Sequence, residues 1–394
     1  MGACHRISMF WGIVAAIGTF VLAVSAIGQQ VLGTALADRE SLREKYLWPP
    51  KTPYPDDNPY SEAKFELGRT LFFDPILSGS KNLSCAGCHN PSLSWGDGLP
   101  RGIGLAHEVL PTRCPTLLSV AWVPKLGWSG QFRDLESVAM TPITSPKMMN
   151  LPENVMIERL SAVPGYVAAF NNAFHAAQID RHQIEQALAT YERSILPTAA
   201  SFDRWIDGDK TAINKSAQRG FELFNGKANC AACHSGWAFT DSSFHDIGSA
   251  QNDDVGRGKL FPNSITLRYA FKTPTLRDVA RRGPYMHDGS VPTLSAVIDL
   301  YAGCVDWMRP SGCHKNDPDP HLFRLCRYLP CKAIGLFISA GIGRVPGTAD
   351  LHRDRAIQSR LLGVTKAAGQ DDHTRHTRPI RHGDREPRDG CGAD

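Results

Sequence analysis

Runs of alternating apolar and polar residues are almost absent from this 394-residue chain, so a sheet-built fold is set aside and an all-α fold is expected. Charge of one sign is also missing where it would matter. The formal net charge is +4, but it comes from the two ends. Residues 38–301 hold 27 Lys/Arg against 28 Asp/Glu, which leaves no basic footprint for nucleic acid. Long apolar runs are scarce. The one from Met9 to Ile27 follows a single basic residue, Arg6, and precedes Ala35-Leu36-Ala37. That order reads as a secretory signal over residues 1–37, cut before Asp38. The competing reading is an uncleaved anchor, because the run approaches spanning length. Either way the body lies outside the cytoplasm; after cleavage it has no stable membrane association. Paired cysteines are missing near the C-terminus. Cys304, Cys313, Cys326 and Cys331 form no C-x-x-C, which argues against a zinc site. Cys4-His5 likewise has no partner cysteine.

What is present is concentrated in two short stretches, Cys85-Ala86-Gly87-Cys88-His89 and Cys230-Ala231-Ala232-Cys233-His234. Each is a full C-x-x-C-H signature for covalent attachment of a c-type haem. Two thiols three positions apart can form thioethers to the two vinyl groups of one porphyrin, and the following imidazole then meets the iron from the same face. A pair of zinc or redox C-x-x-C sites is the alternative. It leaves the trailing histidines, His89 and His234, unexplained.

The rest of the chain is organised around these stretches. Residues 38–60, rich in Pro and Asp, read as an extended lead-in. Helical spacing covers Ser61 to Phe73, then 153–174. Asp180 with Gln183 resembles a capping box for a helix from Arg181 to Ile195. Asn214 or Ser216 opens another helix, to Phe224. Thr293 caps a helix whose Leu294, Val297, Ile298 and Tyr301 share one face. Between them, 90–130 and 235–292 are rich in Gly and Pro and read as long loops over a cofactor. The body is two rounds of helix, haem motif, loop and helix, divided as 61–200 and 201–303. From 304 to 394 the periodicity fails, and 6 of the 14 histidines and 5 of the 11 cysteines gather there. An out-of-frame tail after a frameshift near codon 303 fits that change; a disordered extension is the alternative.

These motifs resemble those of the bacterial di-haem cytochrome c peroxidases and, within that family, the MauG-like members. The resemblance covers roughly residues 61–303. Its carriers are Gly68-Arg69-Thr70-Leu71-Phe72-Phe73-Asp74 with Leu77-Ser78, Pro115-Thr116-Leu117, Trp128-Ser129-Gly130 with Asp134-Leu135-Glu136, and Phe244-His245-Asp246-Ile247-Gly248. Thr273-Pro274-Thr275-Leu276-Arg277 and Pro284-Tyr285-Met286-His287-Asp288-Gly289 complete the set, together with both haem motifs. The resemblance implies two cytochrome-c-like domains with one haem each. The N-terminal haem meets peroxide and the C-terminal haem stores and relays electrons. It implies Cys85, Cys88, Cys230 and Cys233 as attachment points and His89 and His234 as axial ligands. Trp128 matches the family tryptophan between the haems. The sixth ligand of the second haem lies fourteen residues after the His of His-Asp-Gly; it is Met in ordinary peroxidases and Tyr in MauG-like proteins. Here it is Tyr301. A hard phenolate favours Fe(III) and higher states, whereas a thioether favours Fe(II).

Departures from the family matter as much. The acid/base Glu of the peroxide pocket is replaced by Met148, and a thioether carries no proton for O–O cleavage. An upstream pocket Gln is Val138, while Pro142 is kept. Either another group such as His107 or a water handles the proton, or Met148 ligates the first iron, or peroxide turnover is weak. His107 also sits about where relatives carry a removable ligand to the first haem; a solvent-exposed loop histidine is the other reading. Relatives hold calcium with an Asn side chain and two carbonyls. Those positions are Arg113, Arg282 and Pro284 here, so no calcium is expected, with Arg113 partly replacing its charge. A surface Trp two residues before the second motif is Ala228 here, and Trp237 is the candidate substitute. The implied function is oxidation, with H2O2 or O2 plus electrons, of a redox partner protein in the periplasm. That partner is the precursor of methylamine dehydrogenase, whose tryptophan tryptophylquinone is thereby matured, or else a small cytochrome or cupredoxin. A plain cytochrome c peroxidase and a non-catalytic di-haem carrier are the alternatives.

Overall fold

Five of the described α-helices start at a side chain that accepts a free N–H group: Ser61, Asp134, Asp180, Asn214 and Thr293. The computed structural model describes residues 40–250 and 252–301. The expected signal segment 1–37 and the tail 304–394 lie outside the described residues. Helix α1 covers 40–46, where an extended lead-in was expected. The reason is tertiary: Tyr46 is completely buried against aromatic residues from the far end of the chain. Ser61 caps α2 (Glu62–Phe73) by accepting from the Lys64 amide. Its last turn is closed by Asp74, which accepts from the Ile76 amide and from the Tyr166 hydroxyl at 2.7 Å. The first haem motif is itself a single helical turn, α3 (Cys85–Cys88).

Then follow α4 (Leu135–Thr144), α5 (Glu153–Ser161) and α6 (Pro164–Phe174). Pro164, at the first helical position of α6, separates it from α5 where one continuous segment was expected. The capping box at Asp180 starts α7 (Arg181–Arg193), as the spacing implies. Helix α7 is buried from Gln183 to Arg193 except at Gln186 and is the spine of the first half. Gly68 lets α2 lie against it, since a Cβ there would sit 1.9 Å from the Ala187 carbonyl oxygen. Arg193 grips Glu136 of α4 with two hydrogen bonds of 2.6 and 2.7 Å. Asn58 joins the same carboxylate at 2.7 Å, so the buried charges are fully engaged.

The second half is built from α8 (Ser201–Ile206), α9 (Lys215–Asn225) and α10 (Leu294–Tyr301). Asn214 caps α9, and Thr293 caps α10 through its hydroxyl to the Ala296 amide. The long loops hold one two-stranded ladder, β1 (Phe244–His245) against β2 (Phe271–Lys272), antiparallel with Phe244 opposite Lys272. Buried apolar side chains form two clusters. One runs from Leu67 to Ile195. The other joins Tyr46 to Phe202, Phe221, Phe224, Phe239 and Ile298. Among the described residues no helix is long and apolar enough to cross a membrane.

Arg277 is the anchor of the second cluster. It is fully buried, donates to both oxygens of Asp203 at 2.7 and 2.8 Å, and donates through Nε to the Trp237 carbonyl at 2.7 Å. Removing one partner of such a pair leaves an uncompensated buried charge. Asp203→Ala is therefore expected to destabilise the fold by about 3–5 kcal/mol, read as a lowered midpoint in urea denaturation; a midpoint equal to wild type would refute the assignment.

Candidate functional site

Each C-x-x-C-H stretch presents its histidine in the same manner. The His89 Nδ1 lies 3.3 Å from the Trp95 carbonyl, and the His234 Nδ1 lies 3.0 Å from the Phe239 carbonyl. Trp95 and Phe239 both have positive φ, +61° and +53°, which turns their carbonyls back toward the rings. A histidine pinned at Nδ1 offers Nε2 to a metal. Burial pushes both imidazoles down from their ordinary pKa, partly opposed by these carbonyl bonds, and so favours the neutral, ligating form. Burial pushes the Cys85 thiol up to about 12 and Cys230 to about 11. The donor set of two thiols and one oriented imidazole, repeated twice, fits two haems.

A constant spacing relates further pieces of the two halves. Pro115-Thr116-Leu117 recurs as Pro274-Thr275-Leu276, and each leads to a left-handed residue, Ser119 or Asp278, and a 3-10 turn, Val120–Trp122 or Val279–Arg281. Next comes a narrow bridged turn, Leu126 paired with Phe132 or Tyr285 with Val291. Trp128 and His287 sit at the same place in these turns, as do Gly130 and Gly289. Both glycines have positive φ and both press on the opposite half: Gly130 on the Phe244 ring, Gly289 on the Pro100 backbone. Helices α4 and α10 follow, and the eighth residue is Pro142 in one and Tyr301 in the other. A proline ring has no donor atom to offer a metal, whereas a phenol oxygen does. The halves are thus alike in frame and opposite in ligand capacity.

Tyr301 is 52% exposed, yet its pKa is raised to about 12 by desolvation and by the Cys233 and Cys230 sulfurs. Trp128 donates its indole N–H to the Arg113 carbonyl at 2.9 Å and lies 6.5 Å, edge to face, from the His287 ring. His287 is buried, hydrogen-bonded to Asp254 at 2.7 Å and stacked on Phe271 at 3.7 Å. Arg113 ties these parts together. Its amide donates to the His287 carbonyl at 2.9 Å, and its Nη2 donates to the Arg282 carbonyl at 2.6 Å. Both arginines are buried, and the Nε of each lacks a partner. Burial, then the Arg113 charge, pushes Arg282 down to about 10. Two buried cations with unused donors fit the carboxylates of a porphyrin.

Met148 is half-buried and Pro142 lies beside it through the Met149 amide, which donates to the Pro142 carbonyl at 3.0 Å. His107 is exposed on a bridged turn, Ile103 to Val109. The Leu105 amide docks that turn on the Met148 carbonyl at 3.1 Å, and Lys147 pairs with Glu108 at 2.7 Å. So the structure brings the His107 turn, Met148 and Pro142 together. Cys114 was not singled out by sequence reasoning; its sulfur lies 3.3 Å from the His89 Nδ1. Asp254 and His287 were also missed as a pair. The recurrence of Pro-Thr-Leu could have pointed to them, since it sets His287 opposite Trp128. Cys233, Asp241 and His245 have ligand atoms within 4.8 Å of one another, but Cys233 already belongs to the second motif.

Residues 62–211 match the family model of di-haem cytochrome c peroxidases. The chain is 47% identical over 294 residues to the methylamine utilization protein MauG of Methylorubrum extorquens, covering 74% of this chain and 83% of the relative. It is 45% identical over 286 residues to MauG of Methylophilus methylotrophus, covering 71% and 84%. The crystal structure of a MauG-like protein associated with microbial copper homeostasis superposes with a TM-score of 0.66 at 28% identity, covering 75% of this chain and 93% of that one.

A Cβ on Gly289 would lie 2.3 Å from the Pro100 Cα, at a φ of +69° that other residues resist. Gly289→Ala is expected to lower stability by about 2–3 kcal/mol, measured by thermal unfolding; an unchanged midpoint would refute the close approach.

Proposed function

The chain belongs to the di-haem cytochrome c peroxidase and MauG family, and on that premise we propose that it is a periplasmic MauG-like enzyme. Two c-type haems are held covalently, one by Cys85, Cys88 and His89, the other by Cys230, Cys233, His234 and Tyr301. When bound, they supply the iron that reacts with H2O2, or O2 plus electrons, and that holds the oxidising equivalents. A partner protein is oxidised at long range. By resemblance it is the precursor of methylamine dehydrogenase, with maturation of its tryptophan tryptophylquinone as the outcome.

The observation that carries this reading is Tyr301, the eighth residue of α10, where the eighth residue of α4 is Pro142. Phenol on one side and proline on the other make the second site closed and oxidation-tolerant and the first site open. Trp128 stands between them as the relay. Its N–H bonds to a backbone carbonyl, which is no base, so the indole keeps its proton while an electron passes. Arg113 orients that carbonyl, and Cys114, the next residue, reaches His89. At the first site Met148 offers no proton. In this reading His107, on the turn docked on the Met148 backbone, handles the proton.

Arg113 also supports the absence of calcium. Its guanidinium already donates to the Arg282 carbonyl, one of the oxygens a cation would need.

Two outcomes are expected. Tyr301→Phe leaves both haems attached but changes the second haem's EPR signal, raises its potential and abolishes partner oxidation; an unchanged spectrum and reactivity would sink the reading. Dialysis against EGTA leaves the peroxide response of the wild type unaltered, and metal analysis finds no calcium; one calcium per chain would overturn the role given to Arg113.

A further inference from the structure

Cations gather around Trp128. Lys272 donates its amide to the Trp128 carbonyl at 2.8 Å, and Arg257 donates through Nη1 to the Ser129 carbonyl at 2.7 Å. The buried Arg113 accepts the indole N–H on its carbonyl at 2.9 Å. All three spend their side-chain donors on carbonyls rather than carboxylates: Lys272 Nζ on Lys125, Arg257 on Ser129, Arg113 Nη2 on Arg282. Burial pushes the Lys272 amine down to about 8, which leaves it charged at pH 7. An indole that gives up an electron becomes a cation itself, and like charges nearby oppose that step. Its N–H faces a carbonyl, so it does not shed a proton to cancel the charge.

A negative charge comes from one direction. His287 holds in the second half the place of Trp128 in the first, and the two rings lie 6.5 Å apart, edge to face. The imidazole is buried and held on two sides. It stacks on Phe271 at 3.7 Å, and its Nε2 is hydrogen-bonded to Asp254 Oδ2 at 2.7 Å. That His287 bond holds the Asp254 carboxyl below the ordinary carboxylate range, against the effect of burial, with Lys259 and Arg101 adding to it. Asp97, the carboxylate on the Arg113 side, is pushed the other way by burial. Asp254 is thus the acid that keeps its charge beside this pair of rings.

We propose that Asp254, acting through the His287 ring it holds, is the counter-charge that allows the Trp128 indole to lose an electron. This deepens the relay role given to Trp128 above and stands only with it. One electron leaves Trp128 toward the oxidised first site, and one electron from the second site restores it. The indole keeps its proton and Asp254 keeps its charge throughout. Asp254 and His287 are positioning residues, since neither gains nor loses an electron.

The test uses the protein carrying both haems at pH 7, mixed with one equivalent of H2O2 without a partner protein and frozen at intervals for EPR. In the wild type the Fe(III) signals of both haems are expected to fall together. Asp254→Asn keeps the shape of the side chain and removes its charge. It is expected to leave the fall of the first haem's signal intact and to slow that of the second about tenfold or more. Asp254→Glu, which restores the charge, should recover most of the rate. Lys272→Gln leaves the Asp254 hydrogen bond untouched and removes a cation, so it should quicken the second signal's fall. In a Trp128→Phe background Asp254→Asn should change nothing further, because a counter-charge matters only to the group it serves. A wild-type rate in Asp254→Asn, no recovery in Asp254→Glu, or slowing by Lys272→Gln would overturn the counter-charge and leave the enzyme assignment standing. A wild-type rate in Trp128→Phe would overturn the relay and the counter-charge together.

Discussion

Arg113 ties the two halves of this protein together through three hydrogen bonds. Its side chain donates to the carbonyl of Arg282, its amide donates to the carbonyl of His287, and its own carbonyl receives the Trp128 indole. The bonds Arg113 does make are structural: each joins a residue after the first haem motif to a residue of the second half, or to the Trp128 indole. A hard cation could collect the same carbonyls, but it would not bring a neighbouring thiol against His89. Trp128 thereby has a set orientation without any ionisable partner, which is what a proposed one-electron relay requires.

Around that junction the chain repeats a frame and varies one position. The carbonyls of Trp95 and Phe239 hold the two histidines alike. The Pro-Thr-Leu turns, the bridged turns and the helices that follow match in order. Yet the eighth helical residue is a proline in α4 and a tyrosine in α10. Division of labour between two similar sites can then arise from one side chain, because an open metal position and a phenolate-bound one differ in the first coordination sphere.

Much of this could be read in advance. Ser61, Asp180, Asn214 and Thr293 announce their helices because a cap is a local interaction between a side chain and amides two or three residues on. The C-x-x-C-H stretches are local too, and Tyr301 was reachable through a fixed distance from His287. Helix α1 was not legible. Residues 40–46 lack a strong periodic pattern, and Tyr46 is ordered by Phe202, Phe221 and Phe239 from more than 150 positions away. Cys114 beside His89 and Asp254 beside His287 were hidden for the same reason, since loops carry no period from which a contact can be inferred.

By itself, then, the amino-acid order determined the all-helical class, the helix starts at Ser61, Asp180, Asn214 and Thr293, the two C-x-x-C-H motifs and the family. These depend on spacing along one chain, which covalent geometry preserves. Tertiary structure alone decided what meets across the junction: the Arg113 side chain on the Arg282 carbonyl, the His107 turn on Met148, and Asp254 on the His287 ring. Such contacts form only when burial of the two apolar clusters has brought distant loops together, and no local pattern encodes the distance between them.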